Sequence, residues 1–304
     1  MNKAKYLKYS LLASGNLFAA WVISSAASIH YFTRRDRSPV EALQALSDKP
    51  IEDVSVVTDD GVWVSGWLID NDSDKVVILL SGRGSNRNAN IKKAQIYIER
   101  GYSVLMPDLR ATGRSDGHRI SFGWYERKDI EAWYRFLQSK KYKYIAAHGY
   151  SIGAATICYS LRNVKGYDFV VLESCYRDLF ELTQNTLRRT YLPQTTAYLI
   201  KPMTEYLLRV VSDKLRPEIF LERCKAPLLM MGGDSETLVP APTTIELFVQ
   251  NKARFSKLHL FKGAIHENFS INFPEEYKKV LTDFLQHVEA SHEYKHLRRK
   301  QVAS

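Results

Sequence analysis

The chain has 304 residues, 45% of them hydrophobic and 25% charged, ordinary for a packed globular protein and long enough for one large domain. It contains no internal repeat or low-complexity block, which excludes solenoids and extended disorder. A formal charge of +10 favours an anionic partner such as lipid headgroups, nucleic acid or acidic solutes; no zinc spacing or RNA-binding signature accompanies it, so nucleic acid is not expected as a partner.

At the amino terminus Lys3, Lys5 and Lys8 precede an apolar stretch over residues 11–32, followed by Arg34, Arg35 and Arg37. As a helix this stretch reaches ~30 Å, the thickness of a hydrocarbon core. Residues 1–36 are therefore expected to form a single-pass membrane anchor. The alternatives are a signal segment cut near Ala26 to Ser28, with secretion of the remainder, or a helix docked on the domain. Basic residues flank both ends, and the three lysines tip the orientation towards an amino terminus inside and a main domain outside the cytoplasm.

From residue 51 the pattern becomes short apolar runs. Strands are expected at 54–57 and 62–69, around a hairpin turn at Asp59-Asp60-Gly61, and then at 75–80, 102–107, 144–147, 169–172, 227–231 and 257–261. Helices are expected at 89–100, 125–138, after Ser151 and at 275–288. Strands alternating with helices imply an α/β domain over 37–290, with a mainly parallel sheet covered on both faces. Residues 176–223 read as helical and strandless, a small cap over the carboxyl edge of the sheet. Lys295, Arg298, Arg299 and Lys300 fall in a basic, solvated tail over 291–304. Cys158, Cys175 and Cys224 lie in apolar stretches and read as buried thiols, with one disulfide at most.

Sites in such sheets lie at the carboxyl ends of strands. The sequence Gly149-Tyr150-Ser151-Ile152-Gly153 falls between a predicted strand and a predicted helix, where flanking glycines permit a sharp turn that exposes a serine hydroxyl. A serine needs a base to become nucleophilic. Of eight histidines, His30 lies in the anchor and His287, His292 and His296 in the terminal helix or tail; His259 is in a strand, His148 directly before the turn and His118 in an early loop. His266, just past the strand at 257–261, is placed where a loop can return it to Ser151. The base in turn needs a carboxylate, and Gly233-Asp234-Ser235-Glu236 offers two.

Taken together these pieces resemble the α/β-hydrolase fold, in particular the branch containing Bem46-like proteins and serine aminopeptidase-like hydrolases. The resemblance covers residues 50–290. It rests on Asp60-Gly61 with Gly66-Trp67, the loop 81–86, Gly101-Tyr102 with Asp108, Gly113 and Ser115, then the Ser151 turn, residues 227–233, Val239-Pro240 and 263–266. The chain order Ser, acid, His agrees. In these relatives the acid lies three residues before Val-Pro, a register that implies Glu236 as the acid, with Asp234 the alternative and more naturally a turn residue. The nucleophile-plus-one rule makes Ile152 one oxyanion donor, and the resemblance implies Arg83 as the other. Ser81-Gly82 stands where relatives often have His-Gly, a change that spares a backbone donor. The Arg83 side chain reads as a solvated charge, or else as a contact for an anionic substrate group. The Trp and Tyr residues of 124–136 read as packing, and Asp108 and Asp129 as loop and helix-surface residues.

The implied activity is that of a membrane-anchored serine hydrolase needing no cofactor or metal and acting on a lipid-like or small acyl ester, with thioester or amide also within reach. The rival readings are an aminopeptidase-like peptidase and a silent scaffold that binds a lipid or protein partner at the membrane.

Overall fold

The computed structural model describes residues 3–303, apart from 37, 42–45 and 47–48. Arg37 of the second basic cluster lies outside the described residues. The chain begins with a long helix, α1 (Lys3–Thr33). The hairpin follows, β1 (Ile51–Val57) and β2 (Trp63–Ile69), in antiparallel register from Ile51 opposite Ile69 to Val57 opposite Trp63. Gly61, with φ of 79°, supplies the left-handed turn residue between them.

Then come β3 (Lys75–Leu80), α2 (Ile91–Glu99), β4 (Ser103–Pro107), α3 (Arg127–Ser139), β5 (Tyr144–Tyr150), α4 (Ile152–Ser160) and β6 (Val170–Glu173). Three helices form the expected cap, α5 (Leu179–Arg189), α6 (Thr196–Leu208) and the short α7 (Pro217–Leu221). The chain closes with β7 (Leu228–Gly233), α8 (Ala241–Gln250), β8 (Ser256–Phe261), α9 (Phe269–Asn272) and α10 (Pro274–Ala303). Two of these helices, α8 and α9, were not expected from the sequence. α10 was expected to stop near residue 288 and runs on to Ala303, because no Gly or Pro follows to break it.

The strands form one sheet of eight in the order β1-β2-β4-β3-β5-β6-β7-β8. From β4 to β8 all neighbours are parallel, and the hairpin is added antiparallel at one edge. Helices cover both faces, so the central strands are buried on both sides and read as unbroken aliphatic runs. In β3, Val76, Ile78 and Leu80 join the core beneath α3 and α4, with Trp133, Ile157 and Ala147. Its alternate residues Val77 and Leu79 join the opposite core with Tyr97, Phe169 and Phe284 of the α2 and α10 side. Each such aliphatic side chain contributes about 1.5–3 kcal/mol on full burial.

Leu12–Thr33 is the one stretch among the described residues long and apolar enough to cross a membrane, and only 12% of its apolar window is buried. It is thus no core helix; by length and composition it suits a membrane span and a signal segment alike. Its last turns are docked: Ser25, Ile29 and Thr33 are buried, and α1 packs on α6. The segment beyond it is stitched in by a bridge from Arg34 to Arg119 and by bonds from Ile120 N to Thr33 O and Asp36 N to Ala111 O, each 2.8 Å.

Asp129, expected on a helix surface, is fully buried instead, and so is the loop residue Asp108. Asp108, at the end of β4, accepts from the Arg87 backbone N–H at 2.9 Å, from its Nε at 3.0 Å and from its Nη2 at 2.8 Å. It also accepts from Arg114 N at 2.9 Å, and a Cβ on Gly113 would lie 2.2 Å from its oxygen. Asp129 likewise holds the Arg110 backbone and side chain. A surface reading fails because one carboxylate can satisfy several donors of a loop only when it is enclosed by them.

Asp108 therefore locks the loop after β3 to the loop after β4. Asp108→Ala, which leaves buried Arg87 with only a 3.7 Å contact to the exposed Asp53 carboxylate and a bond to Ser65 Oγ, is expected to cost about 3–5 kcal/mol. Urea denaturation should show the double exchange Arg87→Met, Asp108→Leu recovering part of that loss.

Candidate active site

β5 ends in a turn so tight that the residue types are dictated by distance. A Cβ on Gly149 would lie 2.4 Å from the carbonyl carbon of Gly153, and one on Gly153 would lie 2.7 Å from the carbonyl oxygen of Leu80. Between these contacts Ser151 takes φ 53° and ψ −113°, a conformation L-residues rarely hold. Its N–H donates to the carbonyl of Glu173 at 2.8 Å, which fastens the turn to the end of β6. The Ser151 side chain stands at the amino end of α4 and is 8% exposed.

His266 comes from the loop after β8, and that loop is laced to the one after β7. Asp234 Oδ1 accepts from Gly263 N at 2.7 Å, and Ser235 N donates to Ala264 O at 3.1 Å. Gly233 permits the approach, since a Cβ there would lie 2.2 Å from Ala264 O. The result puts His266 Nε2 3.1 Å from Ser151 Oγ and its Nδ1 in a short hydrogen bond with Glu236 Oε1. Tyr150 lies beside the imidazole, ring centroids 5.1 Å apart.

Glu236, not Asp234, is thus the carboxylate brought to the histidine. Its side chain is wholly buried, Oε1 also accepts from Val239 N at 3.1 Å, and Oε2 accepts from Ser174 Oγ at 2.8 Å. Asp234 is a turn residue that braces the two loops. Ser174 follows β6 in a left-handed conformation, φ 46°, and no motif marks it, so it is recognisable only once the strand end is seen.

The loop after β3 runs alongside. A Cβ on Gly82 would lie 3.4 Å from Ser151 Cβ and 2.7 Å from the Tyr150 ring. The backbone N–H groups of Arg83 and Ile152 have no acceptor among the described residues. The Arg83 side chain is exposed, as expected of a solvated charge, and is also held by the end of α1. Its Nε donates to Phe32 O at 2.9 Å and its Nη2 to Tyr31 O at 3.0 Å, while the guanidinium lies over both rings. Those carbonyls are otherwise unpaired at the end of α1, where a cation is favoured by the helix dipole.

Beneath the turn lies a buried charged cluster that sequence reasoning passed over. Glu173 is bound by Lys93 Nζ at 2.9 Å, by His148 Nε2 and by Tyr277 Oη at 2.5 Å; His148 Nδ1 meets Tyr97 Oη at 3.0 Å. Burial by itself would raise the Glu173 carboxyl, but the Lys93 ammonium, with His148 and the Tyr277 hydroxyl, outweighs it and holds the pKa at about 2. Burial pushes the His148 imidazole down, so the cluster is a Lys93–Glu173 ion pair beside a neutral histidine. The residue set aside for standing directly before the turn is therefore a core residue.

No family model matches the chain. A Bacillus subtilis protein described as uncharacterized protein YqkD is 22% identical over 231 residues, 73% of this chain and 75% of its own. Among solved structures, the esterase Pf2001 of Pyrococcus furiosus is 29% identical and superposes with a TM-score of 0.70 over 84% of this chain and 98% of its own. By fold, the chain belongs to the α/β-hydrolase superfamily. Est1E of Butyrivibrio proteoclasticus, solved with ferulic acid, shares this α/β-hydrolase fold at 16% identity and a TM-score of 0.60, over 78% of this chain and 99% of its own. These neighbours support a hydrolase of the α/β class.

The cluster under Ser151 yields a pH prediction. Because the Glu173 pKa lies below its ordinary value near 4.5, its stabilisation is complete above that pH and is lost as pH falls towards about 2. In Lys93→Met the largest interaction opposing burial is lost, so the Glu173 pKa rises and keeping its carboxylate charged costs more as pH increases. Thermal melts should show the deficit of Lys93→Met against wild type widening from pH 4 to pH 8.

Proposed function

We propose that the protein is a serine hydrolase that cleaves a carboxylic ester through an acyl-enzyme on Ser151. The observation that carries this reading is the continuous hydrogen-bonded line from Ser151 Oγ through His266 to Glu236. His266 Nε2 takes the hydroxyl proton as Ser151 Oγ attacks the carbonyl carbon. Glu236 accepts from Nδ1–H, fixing the tautomer and stabilising the imidazolium. The Arg83 and Ile152 N–H groups receive the oxyanion, as two unpaired donors beside the nucleophile would. His266 then protonates the leaving alcohol, the tetrahedral adduct collapses to the acyl-enzyme, and a water activated by the same imidazole releases the acid. No step calls on a cofactor.

An ester is favoured over an amide by the similarity to Pf2001, which its description calls an esterase. Glutamate in place of aspartate is accommodated because Ser174 and the Val239 N–H hold the longer side chain against His266. We further propose that α1 anchors the domain at a membrane, since residues along it such as Leu12, Phe18 and Ile23 are exposed and apolar.

A fluorophosphonate probe is expected to label the wild type and not Ser151→Ala; absence of label on folded wild type would favour a silent scaffold. On p-nitrophenyl esters, Glu236→Gln should lower kcat by about 10³–10⁴-fold, while Asp234→Asn keeps most of it and loses thermal stability instead. Vesicle flotation should retain the full chain with lipid, and replacing Phe18 and Ile23 by Asp should release it.

A further inference from the structure

The last turns of α1 and the cap enclose a cavity of about 210 Å³. Ile29 and Phe32 of α1 form one wall, Leu182 and Thr186 of α5 with Ile200 of α6 another, and Phe122 a third. Phe122 also packs against the cluster that contains Ile152, the residue after Ser151, and the Arg83 guanidinium lies over the ring of Phe32, so two lining residues touch the segments that flank Ser151. Phe122 is held there in a left-handed conformation, φ 53°, with its carbonyl bound by the Tyr176 hydroxyl. Strain of this kind at a non-glycine residue marks a position kept for its placement.

The lining contains four threonines and yet offers a polar ligand little. Thr183 donates to Leu179 O at 2.8 Å, Thr186 to Leu182 O at 2.7 Å, Thr190 to Leu187 O at 2.9 Å and Thr204 to Ile200 O at 3.1 Å. Each hydroxyl proton is spent on its own helix, and Ser28 stands at the exposed rim. A trapped water needs several polar partners, which this lining withholds, whereas apolar cavities of such size take hydrocarbon. In proportion to the ~150 Å³ apolar cavity that accepts benzene, the space takes roughly eight carbons.

We infer that this cavity is the acyl-chain subsite of the ester substrate, built for an unbranched aliphatic chain of about eight carbons, with the carboxyl-terminal turns of α1 as one of its walls. The inference rests on the serine-hydrolase reading for its catalytic consequence, though not for the binding itself. It gives the docked end of α1 a role in substrate choice: Ile29 and Phe32 belong to the binding surface as much as the cap does.

The test uses the full chain and a series of p-nitrophenyl esters from acetate to dodecanoate. Wild-type kcat/KM should climb at least tenfold from acetate to octanoate and then level off. Ile29→Trp, filling the cavity from α1, and Thr186→Trp, filling it from the cap, should each cut octanoate turnover tenfold or more and lower the octanoate-to-acetate ratio of kcat/KM at least fivefold. Ile200→Ala, which enlarges the space without a steric burden, should move the plateau to longer chains. Equal effects of these variants on acetate and octanoate, or none on either, would overturn the proposal. A separate arm reads binding without catalysis: 1-octanol, as the probe, should bind Ser151→Ala in isothermal titration calorimetry and fail to bind when Ile29→Trp is added. Probe binding with no hydrolysis by wild type upholds the cavity and sinks the nucleophile; hydrolysis with no probe binding does the reverse.

Discussion

Everything at the site depends on how closely β5 and α4 approach one another and the end of β3. The distances that bar a side chain at Gly149 and Gly153 force the chain to reverse within a single residue, and Ser151 bears the backbone strain. Such strain persists only where surrounding contacts over-determine it. Here they include the bond from Ser151 N to Glu173 O and, below it, the Lys93–Glu173–His148 cluster. The buried ions thus sit where the turn needs a rigid floor. An apolar replacement of equal volume would often be as stable.

The second organising element is the mutual lacing of loops. Asp234 ties the turn after β7 to the turn after β8, and Asp108 ties the loop after β3 to that after β4. In both cases one carboxylate gathers backbone N–H groups from another segment, a cheap way to fix a loop that has no regular partner. The cap is attached by apolar packing instead: Leu179, Leu208, Val210 and Leu215 share a cluster with Trp124, Tyr159 and Val239. Val239 lies in the same loop as Glu236, so cap and acid are supported together.

Much of this was legible in the residues. The strand runs, the hairpin at Asp59-Asp60-Gly61 and the helical stretch after β6 follow from periodicity and turn chemistry, which act locally. Ser151, His266 and Glu236 were reachable because nucleophile turns and acid loops have their own spacing. What could not be read were choices made by distant neighbours. Asp108 and Asp129 look like loop acids until Arg87 and Arg110 close over them, Ser174 has no signature, and the guanidinium of Arg83 finds its partners some fifty positions earlier in the chain. α10 overran its expected end because hydrophobic patterning marks where a helix packs, while its length is set by the absence of a breaker.

The stitching of residues 29–36 carries one more consequence. Thr33, Arg34 and Asp36 are bonded to Ile120, Arg119 and Ala111, and Arg83 grips the carbonyls of Tyr31 and Phe32. A peptidase severing the chain among the small residues 26–28 would free the amino-terminal peptide and leave this stub in place, Ile29 and Phe32 included. The cut and uncut chains would then keep the same walls around the cavity between α1 and the cap.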